Sequence, residues 1–160
     1  QMCIRDSFRT ARAQDYLEGW ITHLFLCACD PPPAPALTLK ETRWYSRDGI
    51  YRLRTVVDPK SILSKLIALY RTGLSQPLHF YPRSAWALAT TGKTTEALKT
   101  WQCTRNQPFG ESADPAYQLA LRDVNNPLDP QFAELALQIY QPLLDHLEDV
   151  RLTDMEVTSP

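Results

Sequence analysis

The stretch from Leu66 to Ala89 constrains the fold more than any other part of the chain, because its character changes at short intervals. It reads LIALYRTGLSQPLHFYPRSAWALA and begins as the end of an amphipathic helix, which Gly73 terminates. Pro77–Tyr81 then predicts a short strand, and Pro82-Arg83-Ser84 opens a second helix. Helices and strands in such close succession predict an α+β (α/β-like) domain, in which amphipathic helices pack on a small sheet.

Three segments have apolar residues at the spacing of an amphipathic helix. The first runs from Phe8 to Cys29 and ends at Asp30-Pro31-Pro32-Pro33, because proline lacks the backbone donor that a helix needs. The other two open at Asp58-Pro59 and Asp129-Pro130, with aspartate as N-cap and proline in the first turn. The positions expected to be buried are Ala13, Tyr16, Leu17, Trp20, Ile21, Leu24, Cys27 and Ala28 in the first helix, Ile62, Leu63, Leu66, Ile67, Leu69 and Tyr70 in the second, and Phe132, Leu135, Ala136, Ile139, Leu143 and Leu147 in the third.

Two short segments between the first and second helices alternate between apolar and polar residues, which is typical of strands. They are Leu37–Lys40 and Tyr51–Arg54, and Asp48-Gly49 between them is a turn signal, so we predict a β-hairpin. Its apolar face would carry Leu37, Leu39, Tyr51 and Leu53, and its polar face would carry Thr38, Lys40, Arg52 and Arg54.

Gly92 separates two further short helices, Ser84–Thr90 and Thr94–Trp101, and a loop is expected from Gln102 to Pro115. A phosphate-binding loop at Gly92-Lys93-Thr94 would need another glycine where Ala87 stands, so no ATP site is predicted. The four cysteines lack the spacing of a zinc site, which favours reduced thiols in a cytoplasmic protein.

The two ends of the chain differ from its middle. Residues 1–7 look like a translated sequencing-adapter artefact and are excluded from the fold, so the domain is expected to cover residues 8–148 as a fragment of a larger chain. Residues 149–160 are expected to be a frayed tail. The net charge of −1 argues against a surface that binds nucleic acid throughout, and no apolar run reaches the length of a membrane span.

Three combinations of residues carry a resemblance to a known family: Gly19–Leu24, the PLHFYPRSAWA segment and PLDPQFAELA near the end. From Ala13 to Leu147 the chain resembles the C-terminal domain family of RecC, the gamma subunit of exodeoxyribonuclease V. The resemblance implies an inactive nuclease-like domain of the PD-(D/E)xK type. It further implies a non-catalytic role as scaffold or DNA guide in a cytoplasmic RecBCD-type heterotrimer. That complex acts in double-strand break repair by homologous recombination and in degradation of foreign DNA.

The resemblance also implies the partners: RecB-like and RecD-like subunits, which use ATP and magnesium, and DNA reached through the complex. It indicates where a nuclease site would lie, on the polar face of the hairpin. Such a site needs an Asp on one strand and Glu-x-Lys on the next, whose carboxylates hold the metal. The matching slot reads Arg52-Leu53-Arg54, and Glu41 is the one acid near the first strand. We therefore expect no catalytic residue, metal or cofactor on this chain.

The same part of the chain is rich in bases and aromatic residues that suit phosphate and unpaired bases. Two alternatives to contact with nucleic acid stay open: a hairpin face exposed to solvent and a contact with another subunit. Two other functions also stay open: a weak magnesium-dependent nuclease built from Asp48 or Asp58 with Glu18 and Glu41, and an interaction module without DNA contact. His23, on the apolar face of the first helix, is interpreted as a hydrogen-bonded core histidine. The candidate residues for contact with DNA or a partner are Lys40, Arg43, Trp44, Arg47, Arg52 and Arg54.

Overall fold

The computed structural model describes residues 2–6, 9–29, 40–105, 108–122, 124 and 126–151. Within these ranges the structure has six α-helices and one four-stranded sheet, so the predicted α+β class is confirmed. The chain divides into two compact units, Gln1–Leu66 with Leu143–Pro160 and Ile67–Pro142. Among the described residues, no helix combines the length and apolar character that crossing a membrane requires.

The sheet belongs to the first unit, and its strands lie in the order β1-β2-β3-β4. Strand β1 (Met2–Asp6) runs parallel to β2 (Glu41–Ser46), whereas β3 (Gly49–Leu53) pairs antiparallel with both β2 and β4 (Leu147–Arg151). Residues 1–7 were expected to lie outside the fold, but Met2–Asp6 form β1 at the edge of the sheet. Strand β4 likewise extends as far as Arg151, into the segment expected to fray.

The predicted hairpin exists, but its first strand lies further along the chain than the alternation suggested. Leu37–Leu39 fall outside the described residues, and Lys40 precedes β2. The paired segment is Glu41–Ser46, rich in β-branched and aromatic residues that suit a half-buried strand. Thr42 and Trp44 are buried opposite Leu53 and Tyr51. The predicted faces of β3 are confirmed, because Tyr51 and Leu53 are buried while Arg52 is partly exposed.

Helix α1 (Ala13–Ala28) packs part of its predicted apolar stripe against this hairpin, but Ile21, which was expected to be buried, is exposed. Trp20 and Leu24 are fully buried, and the Tyr16 ring meets the Trp44 ring edge-on, with centroids 5.3 Å apart. Gly19 permits the close approach, because an added Cβ would lie 3.3 Å from the Trp44 ring. The helix begins at Ala13, not at Phe8 as predicted, since the Asp15 carboxylate accepts a hydrogen bond from the Arg12 N–H and fixes the first turn there.

Helix α2 (Pro59–Gly73) begins and ends as predicted, with the Ser61 N–H donating to Asp58 Oδ1 over 3.2 Å. Its expected buried stripe is only partly buried. Leu63 is buried, but Ile67 and Tyr70 remain 47% and 67% exposed. The helical period was therefore read correctly, whereas the assumption that the whole apolar stripe packs within the chain was wrong.

The second unit contains α3 (Pro82–Thr91), α4 (Thr94–Trp101), a 3₁₀ turn (Glu111–Ala113), α5 (Pro115–Ala120) and most of α6 (Pro130–Leu144). Gly92 separates α3 from α4 in the left-handed conformation, with φ of 67°, as its predicted role of helix terminator requires. The core of this unit is aromatic: Tyr81 packs on Trp101 at 4.3 Å and on Phe132 at 5.6 Å between ring centroids.

Two predicted elements of the later chain are wrong. Pro77–Tyr81 is not a strand, because the Phe80 N–H bonds to the carbonyl of Leu78 over 2.8 Å and curls the backbone into a tight turn. Leu147 does not continue α6, which ends at Leu144 after the internal Pro142, and instead opens β4. The apolar period could not distinguish a longer α6 from a separate strand, since Leu147 fits the apolar stripe of the helix as well as an edge strand.

Candidate functional site

The outer side of the hairpin carries arginines from both strands around one carboxylate. Arg43 on β2 lies directly opposite Arg52 on β3 in the antiparallel register. Glu41, two residues before Arg43, shares the same face of the strand. Arg43 Nε donates a hydrogen bond to Glu41 Oε1, and Arg52 Nε lies 3.1 Å from that same oxygen. One carboxylate oxygen therefore faces two guanidinium groups.

This pairing determines the ionisation of Glu41. Burial favours the neutral acid, but the Arg43 hydrogen bond and the charges of Arg43 and Arg52 outweigh it and hold the pKa of Glu41 below its ordinary value. The same hydrogen bond raises the pKa of Arg43. Glu41 is therefore ionised at neutral pH. A cation at Oε1 of this carboxylate would have to displace both arginines.

A second carboxylate continues the network on the neighbouring strand. Glu148 on β4 lies directly opposite Arg52, with 3.4 Å between Glu148 Oε2 and Arg52 Nη1. Its other oxygen lies 3.4 Å from Arg54 Nε, and Arg54 Nη2 donates to the carbonyl of Asp145 over 2.7 Å. Three guanidinium groups thus face two carboxylates, so most of their charge is compensated locally. We call this set the arginine face: Glu41, Arg43, Arg52, Arg54 and Glu148.

The other three predicted contact residues do not join the arginine face. Lys40 Nζ donates to the carbonyls of Cys27, over 3.1 Å, and of Cys29, where it caps the C-terminal end of α1. Arg47 lies in the hairpin turn, with its Nη2 3.4 Å from Thr10 Oγ1. Trp44 was expected to offer a stacking surface for bases, but this is wrong. Its ring is 5% exposed and stacked on Tyr51 at 4.7 Å.

The acids considered for a metal site have structural roles or lie apart. Asp48 accepts hydrogen bonds from the Ala11 N–H at 3.0 Å and the Tyr51 hydroxyl at 2.7 Å. Although burial opposes ionisation, these bonds and that of the Ser46 hydroxyl lower the pKa of Asp48. Asp58 caps α2. In the part of the chain that the structure describes, no three His, Cys, Asp or Glu side chains form a group able to hold a metal ion.

His23 is a fully buried core residue that joins three elements, as the sequence analysis interpreted it. Its Nε2 lies 2.8 Å from the carbonyl oxygen of Arg54, and its Nδ1 lies 2.9 Å from Thr42 Oγ1. Because a carbonyl only accepts, Nε2 carries the proton and Nδ1 accepts from the Thr42 hydroxyl. Burial lowers the pKa of His23, more strongly than the Arg54 hydrogen bond raises it, so the ring is neutral at pH 7.

Two polar pairings in the second unit escaped the sequence analysis. The buried carboxylate of Glu111 accepts hydrogen bonds from the Arg83 N–H at 3.0 Å and the Ser84 N–H at 2.8 Å, and so caps α3. His79 Nδ1 lies 2.9 Å from Asp129 Oδ2. Burial opposes ionisation of Asp129, but its bonds to the Phe132 N–H and to His79 lower its pKa. The sequence carried a local signal only for the capping role of Asp129. Glu111 and His79 bond to residues that lie far away in the chain, and local patterns do not reveal such partners.

The chain matches a protein-family model. The model of the family described as RecC C-terminal domain matches residues 1–93, more than half of the chain. The matched region includes α1, the hairpin, α2 and α3, and with them the Gly19–Leu24 and Leu66–Ala89 segments. The PLDPQFAELA segment lies beyond it. No curated protein matched the chain in a sequence search.

Proposed function

The chain belongs to the RecC C-terminal domain family, and from this premise we propose that it is a non-catalytic scaffold and DNA-guiding domain. Membership in the family associates it with the RecBCD complex of DNA recombination repair. The proposed role is more specific than this association: an inactive nuclease-like domain that holds RecB-like and RecD-like subunits and DNA in place. The complex would then repair double-strand breaks and degrade foreign DNA.

The engagement of Glu41 by two arginines carries the non-catalytic part of the proposal. A metal-dependent nuclease needs carboxylates whose lone pairs are available to the cation. Here Arg43 and Arg52 both contact Glu41 Oε1, and Asp48 accepts hydrogen bonds from the hairpin and from Ala11. A divalent cation would add to positive charge already present, so the hairpin supports contact with an anion better than binding of a metal.

The guanidinium groups that remain partly exposed support the DNA-guiding part. The side chains of Arg43 and Arg54 are 40% and 55% exposed, and the contact of each with its carboxylate involves Nε, one of the three nitrogens that carry the five N–H groups of a guanidinium. Such groups contact phosphate oxygens without reading base sequence. The domain would therefore hold DNA in a path and leave sequence recognition to other parts of the complex.

A second candidate is a protein-interaction module without DNA contact. The ion pairs of the arginine face favour it, because Glu41 and Glu148 reduce the field that would attract phosphate. The two candidates differ in one observable quantity, the salt dependence of DNA binding by the assembled complex. Each phosphate contact contributes about 0.7 to 0.9 to the slope of log affinity against log salt concentration.

The test uses the complex assembled from this chain in its full-length subunit with its RecB-like and RecD-like partners. Arg43→Gln and Arg54→Gln are combined, because Arg52 stays to neutralise both carboxylates. The scaffold and DNA-guiding proposal expects weaker binding to a duplex end and a slope reduced by about 1 to 2. Arg122→Gln, an exposed arginine of the second unit, is the matched control. An unchanged slope favours the interaction module.

The catalytic alternative is tested separately. The chain is incubated with a duplex and with single-stranded DNA in magnesium, beside the variants Glu41→Gln and Asp48→Asn. The proposal expects no DNA cleavage that depends on Glu41 or Asp48, so both variants should behave as the wild type does. Magnesium-dependent cleavage lost in Glu41→Gln would show that the carboxylate reaches a metal despite its arginines, and the non-catalytic role would be wrong.

A further inference from the structure

The second half of α2 leaves apolar side chains in solvent. Ile67, Tyr70 and Leu74 are 47%, 67% and 70% exposed, and all three belong to the second unit. Their spacing of three and four residues places them on one side of the helix, because the Leu74 N–H still bonds to the Tyr70 carbonyl over 3.1 Å. Single exposed apolar residues are common on protein surfaces, but a row of three along a helix marks a surface made for contact.

The charge on α2 is of one sign. Lys60, Lys65 and Arg71 are all exposed, and the helix Pro59–Gly73 has no acidic residue. Within the described ranges of the chain, Arg71 makes no ion pair, in contrast to Arg43, Arg52 and Arg54. We define the α2 patch as Ile67, Tyr70, Arg71 and Leu74. Among the residues that the structure describes, it combines an apolar row with a cation that pairs with no carboxylate.

These two properties specify the occupant by its chemistry. DNA phosphates would satisfy Arg71, but they offer nothing that removes Ile67 and Leu74 from water. A protein surface with apolar side chains bordered by carboxylates would do both, and aromatic residues and arginine are the types enriched at the centre of such interfaces. We infer that the α2 patch docks an acidic, apolar surface of a partner subunit of the complex. The inference rests on the proposed function and adds where the partner binds.

The experiment measures binding of the full-length subunit that contains this chain to separately purified RecB-like and RecD-like subunits. Ile67→Ser combined with Leu74→Ser removes the apolar row, and Arg71→Glu reverses the charge. All three positions are exposed, so the fold should tolerate them, which far-UV circular dichroism checks. We expect each variant to raise the Kd for one subunit by about tenfold or more. The effect of Arg71→Glu should shrink at high salt.

Leu119→Ser, an equally exposed leucine on α5, is the matched control and should leave the Kd unchanged. If the wild-type subunit binds a partner and the α2 variants bind equally well, the inference is wrong while the proposed function stands. If the wild-type subunit binds neither partner, the proposed function itself fails. The inference is also overturned if the α2 variants weaken DNA binding alone, or if the wild type self-associates through this patch.

Discussion

The imidazole of His23 and the hydroxyl of Thr42 form a 2.9 Å hydrogen bond in the interior of the first unit, where neither side chain is exposed. The other ring nitrogen bonds to the carbonyl of Arg54, the residue after β3, so a single histidine links α1 to β2 and to the end of β3. The hairpin carries the arginine face on its other side. A change in the protonation of His23 would therefore disturb the hairpin that supports the candidate site.

Lowering the pH should destabilise the fold through His23. The folded-state pKa lies below the ordinary value of 6.5, so at pH 7.5 the ring is neutral whether the chain is folded or not. As the pH falls through 6.5, the unfolded chain takes up a proton that the folded chain resists, and stability is lost until the folded pKa is passed. We expect the free energy of unfolding to fall from pH 7.5 to pH 5.

Urea unfolding at several pH values measures this effect. His23→Gln keeps a donor for the Arg54 carbonyl and cannot titrate, so its stability should vary less over the same range. The variant should also lose about 1–3 kcal/mol at pH 7.5, because the buried Thr42 hydroxyl is left without its acceptor. An unchanged pH slope in His23→Gln would show that another group controls it. Lowered carboxylate pKa values act at lower pH, below about 4.5.

Removing the negative charge of Glu41 should strengthen DNA binding. In Glu41→Gln, Arg43 and Arg52 keep their positions on opposite strands, but Arg43 loses its carboxylate partner and Arg52 keeps only Glu148. If the arginine face meets phosphate, the affinity of the complex for a duplex end should rise about two- to tenfold at low salt and less at high salt. The measurement is a salt titration of binding. Glu134→Gln, an exposed glutamate on α6, controls for the change in net charge.

Much of the fold follows from local signals in the sequence. Asp58 with Pro59, Asp129 with Pro130, and Gly92 each mark a helix boundary by a mechanism confined to a few residues, and all three positions are confirmed. The strand predicted at Pro77–Tyr81 failed because a strand depends on a neighbour that alternation alone does not reveal. Strands β1 and β4 depend likewise on backbone pairing with β2 and β3.

The candidate site was predictable in composition but not in arrangement. The sequence indicated that bases replace metal ligands at Arg52 and Arg54, but it could not indicate that Glu41 and Glu148 pair with them. The register of β2 decides this, since it brings Arg43 opposite Arg52 and turns Trp44 inward. Lys40, one residue before the strand, then reaches α1 instead. The position at which β2 begins therefore changed the role of two of the six predicted contact residues, Lys40 and Trp44.

Neutralising Glu111 should destabilise the second unit. Its carboxylate accepts from two backbone N–H groups at the start of α3 and from the Ser84 hydroxyl at 2.7 Å, and both Glu111 and Ser84 are buried. Glu111→Gln directs an amide donor at one of these donors, so we expect a loss of about 1–3 kcal/mol. Urea unfolding followed by tryptophan fluorescence measures it. Glu134→Gln should change stability by less than about 0.5 kcal/mol.

Any residue with a side chain at position 110 should destabilise the fold. Gly110 lies directly before Glu111 and allows Glu111 to reach α3. An added Cβ would collide with the backbone of Gln102 and Cys103, which cannot move aside as a flexible side chain would. Gly110→Ala should therefore cost about 3 kcal/mol, at the upper end of overpacking effects. Gly92→Ala provides the contrast: no atom lies within 4 Å of its added Cβ, and its cost of about 1–2 kcal/mol comes from the left-handed backbone alone. Urea unfolding of both variants tests the order. Equal losses would indicate that the segment carrying Gly110 moves freely, and that Glu111 caps α3 without its help.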